Sequence, residues 1–469
     1  MFYIFKKVLA VFLSLISTLA VGFNLNNAPQ VNENRLPYSC ENSKTAKILN
    51  DGSQVLSVSL SKGETLDLDF GGTVTFDTVA LYEDGDNCNE FRLYAKNGGE
   101  WTLIYQQDRI LTYHLCYVEP VYADALRLEI VDCNKDVKLR ELSVYEAEKR
   151  TQPVVVTQYL RLDACDFETL FGDEGFSGYY DVVTDPILFG EVSLDENAGI
   201  RFAHGEEYFK KQLDSFRQII GDRPVRIRCC VVFDQKNDKG VNDIEVTKNF
   251  VNKNIDKISE NLKAFVEKYD LYGVDYDWEY PQTASQWRAY DLIVNKTAEF
   301  TKVTVAVAPW GVYFGKSARE NIEFVNIMAY DLFDNRGDHS NSYTAGFEAI
   351  QKLRRFGFKN EQILLGIPTY GRTTDKSNNA WPTIRSDGEN FGKWGNLIKD
   401  YPYIDSATGE KKTCDAYLDS YAEVRDKTAT AIDEGAAGVM VFRAFCDAPY
   451  TEPYCLQRAI GEVIGQRMG

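Results

Sequence analysis

The chain has 469 residues, 44% of them hydrophobic and 13% aromatic, with a formal net charge of −18. That apolar content excludes a disordered chain, and the length calls for two domains rather than one. The acidic balance, with no basic stripe, excludes a nucleic-acid partner, whose phosphates demand clustered Lys and Arg, and it suits a neutral ligand.

Residues 1–22 read as a secretory signal peptide. Lys6 and Lys7 form a short basic head, Val8 to Val21 are apolar or small, and Ala20-Val21-Gly22 offers small residues at cleavage spacing. The apolar run is short for a membrane span. A secreted, extracellular protein is expected, free or held at the cell surface, with no membrane span after cleavage. Export would let the ten cysteines pair. Cys446 and Cys455, which bracket a Pro-containing loop, are the first candidate pair, with free thiols as the equal alternative. Three scattered histidines (His114, His204 and His339) and no CxxC make a structural zinc site improbable, so no metal is expected.

Residues 25–150 consist of short alternating runs such as "VLSVSL", "TLDLDF", "FRLYAK" and "LRLEIV", separated by turn clusters such as "NDGS", "KGE" and "KNGGE". This spacing without helical periodicity predicts an antiparallel β-sandwich. At "AEKRTQPVVV" charge and a proline break the pattern. From 151 to 469 apolar strands alternate with amphipathic helices. The strands are expected at 154–160, 185–194, 225–233, 272–280, 302–309, 324–330, 362–370 and 438–445. Eight strands with intervening helices predict a (β/α)8 TIM barrel. Neither a GxGxxG nor a P-loop follows any of them, which removes nucleotides, and no cofactor is expected.

The fourth barrel strand, "YGVDYDWEY", alternates Asp275, Asp277 and Glu279 with Val274, Tyr276 and Trp278. In a barrel the acids point inward and climb toward the C-terminal mouth, where active sites lie. With a rise of roughly 3.3 Å per residue, carboxyls so close cannot all ionise cheaply. At least one proton should be retained, with the outermost group raised, making Glu279 a candidate general acid. Solvated acids on a surface strand are the bland alternative.

"GVDYDWEYP" resembles the DxxDxDxE signature of glycoside hydrolase family 18, the chitinases and chitinase-like proteins. "NIMAYD" (326–331), "LLGIPTYGR" (364–372) and "VRDKTATAIDEGAAGVMVF" (424–442) follow in the family's order. Most of 35–147, including "LDLDFGGTVTFDTVALYEDGDNCNEFRLYAKNGGEWTLIYQ", looks like the discoidin, or galactose-binding-like, domain, which implies a jelly roll able to make a second sugar contact. The family resemblance implies retaining, substrate-assisted cleavage of β-1,4 bonds at N-acetylglucosamine units of chitin or chitooligosaccharides. In that reading Glu279 is acid and then base, Asp277 holds the substrate's acetamido group, and Asp275 shares a proton with Asp277. Tyr330 would donate to the acetamido oxygen, Asp331 would contact the sugar or cap a helix, and Met328 would line the pocket floor. Trp310 would line the cleft and Phe442 would serve as a stacking platform where the family commonly has tryptophan. Trp381 and Trp394 are cleft or packing residues alike, and Trp287 opens a helix. Two departures touch the acids: Tyr272 stands for the first Asp of the signature, and Cys229-Cys230 falls where a hydroxyl usually helps hold them. The alternatives are an endo-β-N-acetylglucosaminidase acting on N-glycans and a non-catalytic glycan-binding protein.

Overall fold

The computed structural model describes residues 30–162, 177–374, 392–404, 408–444 and 446–469. The signal segment 1–22, Cys165 and Trp381 lie outside them. The described chain opens with α1 (Ser43–Leu49), started by the Asn42 side chain accepting from the Lys44 N–H. Strands β1 (Val58–Leu60), β2 (Thr65–Glu83), β3 (Cys88–Asn97), β4 (Glu100–Gln107), β5 (His114–Cys133) and β6 (Val137–Tyr145) follow. They form one antiparallel sheet in the order β1-β6-β2-β5-β3-β4.

β2 shows how the alternation is used. Its first residues alternate exposed and buried, whereas its last eight are all buried. There Phe76, Val79 and Leu81 face the sheet's own core. Ala80 and Tyr82 face residues of the barrel, among them Phe347, Ala429 and Ile432. Period-two patterning lapses where a second partner covers the other face. Register shifts between Asp69 and Val74 and between Phe76 and Thr78 bend the long β2–β5 ribbon.

The second unit contains β7 (Val155–Arg161), β8 (Asp185–Leu194), β9 (Ile200–Phe202), β10 (Arg228–Val232), β11 (Gly273–Asp277), β12 (Lys302–Val307), β13 (Ile322–Ile327) and β14 (Ile363–Pro368). A small antiparallel sheet of β15 (Arg372–Thr373), β16 (Leu397–Ile404) and β17 (Lys411–Tyr417) precedes β18 (Gly438–Phe442). Eight of these strands are parallel, and the ring closes where β18 pairs with β7, and β8 with both β7 and β10. β9 folds back antiparallel on β8. The barrel expected from the sequence is therefore present, with each strand within a few residues of its expected place. β11 is the instructive difference: it stops at Asp277, so Glu279 stands beyond the strand end, at the mouth.

Helices α2 (Glu206–Ile220), α3 (Ile244–Tyr269), α4 (Ala284–Thr297), α5 (Lys316–Asn321), α6 (Ala349–Arg355), α7 (Tyr421–Asp433) and α8 (Leu456–Arg467) belong to this unit. α3 begins where the Asp243 carboxylate accepts from the Glu245 and Val246 N–H groups, and it buries Val251, Ile258, Leu262 and Phe265 at helical spacing. α4 opens with a Thr283/Gln286 capping box and buries Trp287, which is thus a core residue.

α7 is different, because every residue from Tyr421 to Ile432 is buried. It lies between the barrel and β5 of the N-terminal sheet. Its polar groups find partners across that seam: Asp426 accepts from the Tyr117 N–H at 2.7 Å and from the Tyr105 hydroxyl, with His114 Nε2 at 3.3 Å. Gln107 donates to Glu423 at 3.0 Å. Lys427 is instead held within the barrel unit, by Asp419 and the Ser340 hydroxyl, both at 2.6 Å. Further along, Arg109 bridges Asp86 on the sheet side to Asp334 on the barrel side, both at 2.6 Å.

The Cys446–Cys455 bridge anticipated from the loop is not formed. The Cys455 thiol instead donates to Asp447 Oδ2 at 3.4 Å. Asp447 also accepts from the Leu456 and Gln457 N–H groups at the start of α8, so this short loop is closed by a carboxylate. Among the described residues no helix is long and apolar enough to cross a membrane.

Candidate active site

The inner face of β11 carries Gly273, Asp275 and Asp277, in register with Arg228, Cys230 and Val232 of β10. Asp275 is fully buried. Its Oδ1 accepts from Thr304 Oγ1 of β12 at 2.6 Å and from Asn326 Nδ2 of β13 at 3.1 Å, and its Oδ2 accepts from the Tyr159 hydroxyl of β7 at 2.8 Å. Burial pushes its pKa up, and hydrogen bonds from Thr304, Tyr159 and Cys230, with the more distant charge of Arg228, hold that rise back. Cys230 therefore stands where the sequence asked for a hydroxyl, whereas Cys229 points into the apolar layer outside the barrel.

Below Asp275 lies Gly273. A Cβ there would come within 2.8 Å of Arg228 Nη1 and 2.6 Å of the Lys302 carbonyl oxygen, so the missing side chain makes room for a buried guanidinium. Arg228 is held by Asp185 at 2.9 Å and by Glu323 at 2.5 Å. Tyr272 does not enter the barrel: it is partly exposed at the base, its hydroxyl 3.3 Å from Glu323, with the Arg228 guanidinium 4.8 Å from its ring centroid. The phenol is thus no replacement for an inner hydrogen-bonding group. Arg228 fills that level instead.

Asp277 is the least satisfied of the acids. Its Oδ1 is buried and has no hydrogen-bond partner among the described residues. Burial first, then the charges of Glu279 and Asp275 and a hydrogen bond to Glu279, push its pKa well above the carboxylate range. The middle group, Asp277, is thus an acid of the row that resists losing its proton. Glu279 is exposed at the mouth, next to Tyr280, with which it shares a hydrogen bond.

The remaining candidates converge on the same opening. Tyr330 and Met328 belong to the inner cluster that also holds Tyr159, Tyr370 and Met440. The Tyr330 ring stacks on Phe442 with centroids 5.5 Å apart, and Tyr370 meets it edge-on at 5.9 Å. Burial pushes the Tyr330 phenol well up, so it stays a hydroxyl donor at any ordinary pH. Asp331 adopts φ +57° and receives Arg372 through Nε at 3.0 Å and Nη2 at 3.1 Å. Burial works against ionisation there, but His339 and Arg372 overcome it and hold Asp331 below the usual range. It caps no helix, since the next helical segment starts after Asn341. Trp310 is 59% exposed and meets Tyr280 edge-on at 5.4 Å, beside Glu279. Trp394 belongs elsewhere: it packs edge-on against Tyr105 of the N-terminal sheet at 5.6 Å.

Tyr159, Thr304, Asn326 and Arg228 were not singled out from the sequence. An isolated polar residue in an apolar strand is the one signal they offered, and its partner is visible only once the barrel closes.

The family model described as glycosyl hydrolases family 18 matches residues 242–447. Endochitinase 1 of Metarhizium robertsii is 25% identical over 181 residues, 32% of this chain and 42% of that protein. Chitinase 1 of Aphanocladium album is 24% identical over 189 residues, 34% of this chain and 44% of that protein. The matched stretch thus spans less than half the length of these relatives. Among solved structures, a chitinase from Bacteroides thetaiotaomicron aligns with a TM-score of 0.51 at 17% identity, covering 67% of this chain and 97% of its own. The Bacillus cereus spore cortex-lytic enzyme SleL aligns with a TM-score of 0.52 at 13% identity, covering 71% and 78%. At such identities these structures speak for the barrel fold.

Proposed function

We propose that the protein is a family 18-type glycosidase that cleaves β-1,4 bonds at N-acetylglucosamine units by retaining, substrate-assisted catalysis. One observation carries this reading: Asp277, its pKa pushed up by burial and its neighbouring acids, combines a hydrogen bond to Glu279 with a buried oxygen that has no partner among the described residues. An acetamido N–H is the group that such an oxygen lacks. With it bound, the proton shared by the pair stands on Glu279, which delivers it to the glycosidic oxygen as the C1–O bond breaks. The acetamido carbonyl oxygen closes on C1 and forms an oxazolinium ion. Water then opens that ring at C1 and returns its proton to Glu279.

Asp275, already saturated by its donors, supplies a fixed negative field beneath Asp277 that favours the developing positive charge. The Tyr330 hydroxyl donates to the acetamido oxygen and turns it toward C1. Phe442 lies under the sugar, Met328 lines the floor, Asp331 with Arg372 contacts the ring substituents, and Trp310 stacks on the next unit. The organisation that goes with this reading is a signal segment at 1–22, a discoidin-like jelly roll at 25–150 and the barrel at 151–469, in a secreted protein.

The test compares wild type with Glu279→Gln on chromogenic glycosides of di- and tri-N-acetylglucosamine and on an N-glycosylated protein. Turnover of the glycosides that drops by at least ~10³-fold in the variant is expected. Glycan release from the glycoprotein alone would move the reading to an endo-β-N-acetylglucosaminidase. Saturable binding without any product, unchanged by the substitution, would reject hydrolysis.

A further inference from the structure

A cavity of about 590 Å³ opens on the outer face of the molecule, where β3, β4 and β5 meet the segment before β16 and the helix α7. It holds a cation whose hydrogen-bonding capacity the fold leaves largely unused. Arg425 of α7 is 5% exposed, yet its Nε and Nη2 are buried without a hydrogen-bond partner. The guanidinium lies 4.4 Å from the Tyr117 ring centroid, and the side chain lines the cavity. Its nearest carboxylate, Glu119, stands 3.6 Å away, beyond hydrogen-bond length, on a side chain 76% exposed. A buried guanidinium with idle donors is costly unless something comes to meet it.

The surroundings narrow what that is. Lys393 adds a second cation, its ammonium 4.6 Å from the Trp394 ring centroid. Tyr122, 64% exposed, and Leu103, 39% exposed, offer flat apolar surface at the opening. Glu100 and Glu119 at the rim are exposed, and Glu119 is the acid that an incoming carboxylate would displace from Arg425. A planar guanidinium selects a planar carboxylate through two parallel N–H···O bonds, and exposed aromatic faces select the C–H face of a ring. The volume falls within the range of small-ligand pockets.

We infer that this seam cavity is a binding site for a carboxylate-bearing saccharide, such as a uronic or sialic acid unit, with Arg425 as its anchor. The site is separate from the barrel mouth and is independent of whether the barrel hydrolyses anything.

The test titrates the full-length Glu279→Gln protein, followed by calorimetry or NMR, with galacturonic acid, N-acetylneuraminic acid, galactose and inorganic sulfate. Saturable binding of one or both acids is expected, at least 10-fold tighter than galactose or sulfate. It should weaken at least 10-fold in Arg425→Met and several-fold in Tyr122→Ala, a surface change that leaves melting unaltered. If Arg425→Met fails to fold, Tyr122→Ala and the galacturonate-to-galactose ratio carry the decision. Equal affinity for sulfate would reduce the site to a plain anion site and overturn the saccharide. Equal affinity for galactose, or no saturable binding, would overturn the carboxylate. Binding of N-acetylglucosamine oligosaccharides in the same protein reports on the barrel mouth, so failure of one reading is distinguishable from failure of the other.

Discussion

Asp426 at the seam and Asp277 at the barrel mouth are both acids drawn out of water, and the chain treats them oppositely. Asp426 receives a backbone N–H, a phenol and an imidazole contact, all from the N-terminal sheet. Asp277 keeps one buried oxygen unmet and leans on another acid. Satisfied carboxyls hold parts together, whereas an unsatisfied one is strained toward a ligand. Between these two acids, hydrogen-bond satisfaction marks the difference: Asp426 is met by its neighbours and Asp277 is left open to a ligand.

The comparison breaks most sharply by exchanging what each acid can lose. Asp277→Asn should lower kcat/KM by ~10²-fold or more while leaving the fold intact. Its pH signature follows from the sign of the shift. The folded pKa lies above the unfolded one, so the native state holds a proton that the unfolded chain releases. The stability tied to this group is then full below the unfolded pKa, roughly 3.9, and is lost as pH rises toward the folded value. As pH rises above about 4, wild type should therefore lose stability relative to Asp277→Asn, as followed by urea midpoints. A variant equally active, or no change in that slope, would contradict the role given to the middle acid.

Asp426→Ala is the structural counterpart. It strands the Tyr117 N–H, the Tyr105 hydroxyl and His114 in a dry seam, with an expected cost of about 3–5 kcal/mol in denaturant unfolding. Any activity that survives should show an unchanged KM. Trp310→Ala sharpens the mouth: a 59% exposed ring removes no core, so melting should stay put while kcat/KM on longer oligosaccharides falls about 10-fold. The smallest effect is expected at Tyr272→Phe, within about 0.5 kcal/mol and without change in rate, because its hydroxyl meets Glu323 at 3.3 Å at the exposed barrel base, away from the acids. A large loss there would restore Tyr272 to the inner row of the signature.

Much of the barrel was legible because alternating strands and helices leave a periodic trace, and the acids of β11 declared themselves by standing every second residue among apolar neighbours. The partners of Asp275 were not, since Tyr159, Thr304 and Asn326 are brought together by barrel closure from strands 116, 29 and 51 residues away. Gly273, within the expected fourth strand, carried no signal of its own, because the Arg228 guanidinium that its missing side chain makes room for comes from the neighbouring strand. The seam left a trace of its own: "YAEVRDKTATAID" reads as a helix with polar residues all round, which suits a helix covered on all sides by polar partners as well as one exposed to water. Sequence cannot choose between these. Trp394 was ambiguous for the same reason, an aromatic in a loop whose neighbour Tyr105 lies far away in the chain.

The double embrace of α7 has a consequence for biosynthesis. Tyr117 and Asp426, which must meet, are separated by 309 residues. At the ~5–20 residues per second of translation, the sheet waits on the order of 15–60 s for the helix that covers its Tyr105–His114 face. Through that interval the nascent chain presents a half-finished surface of aromatic rings and idle donors to the cell's folding machinery. A chain cut at residue 150 would keep such a surface permanently, on both halves.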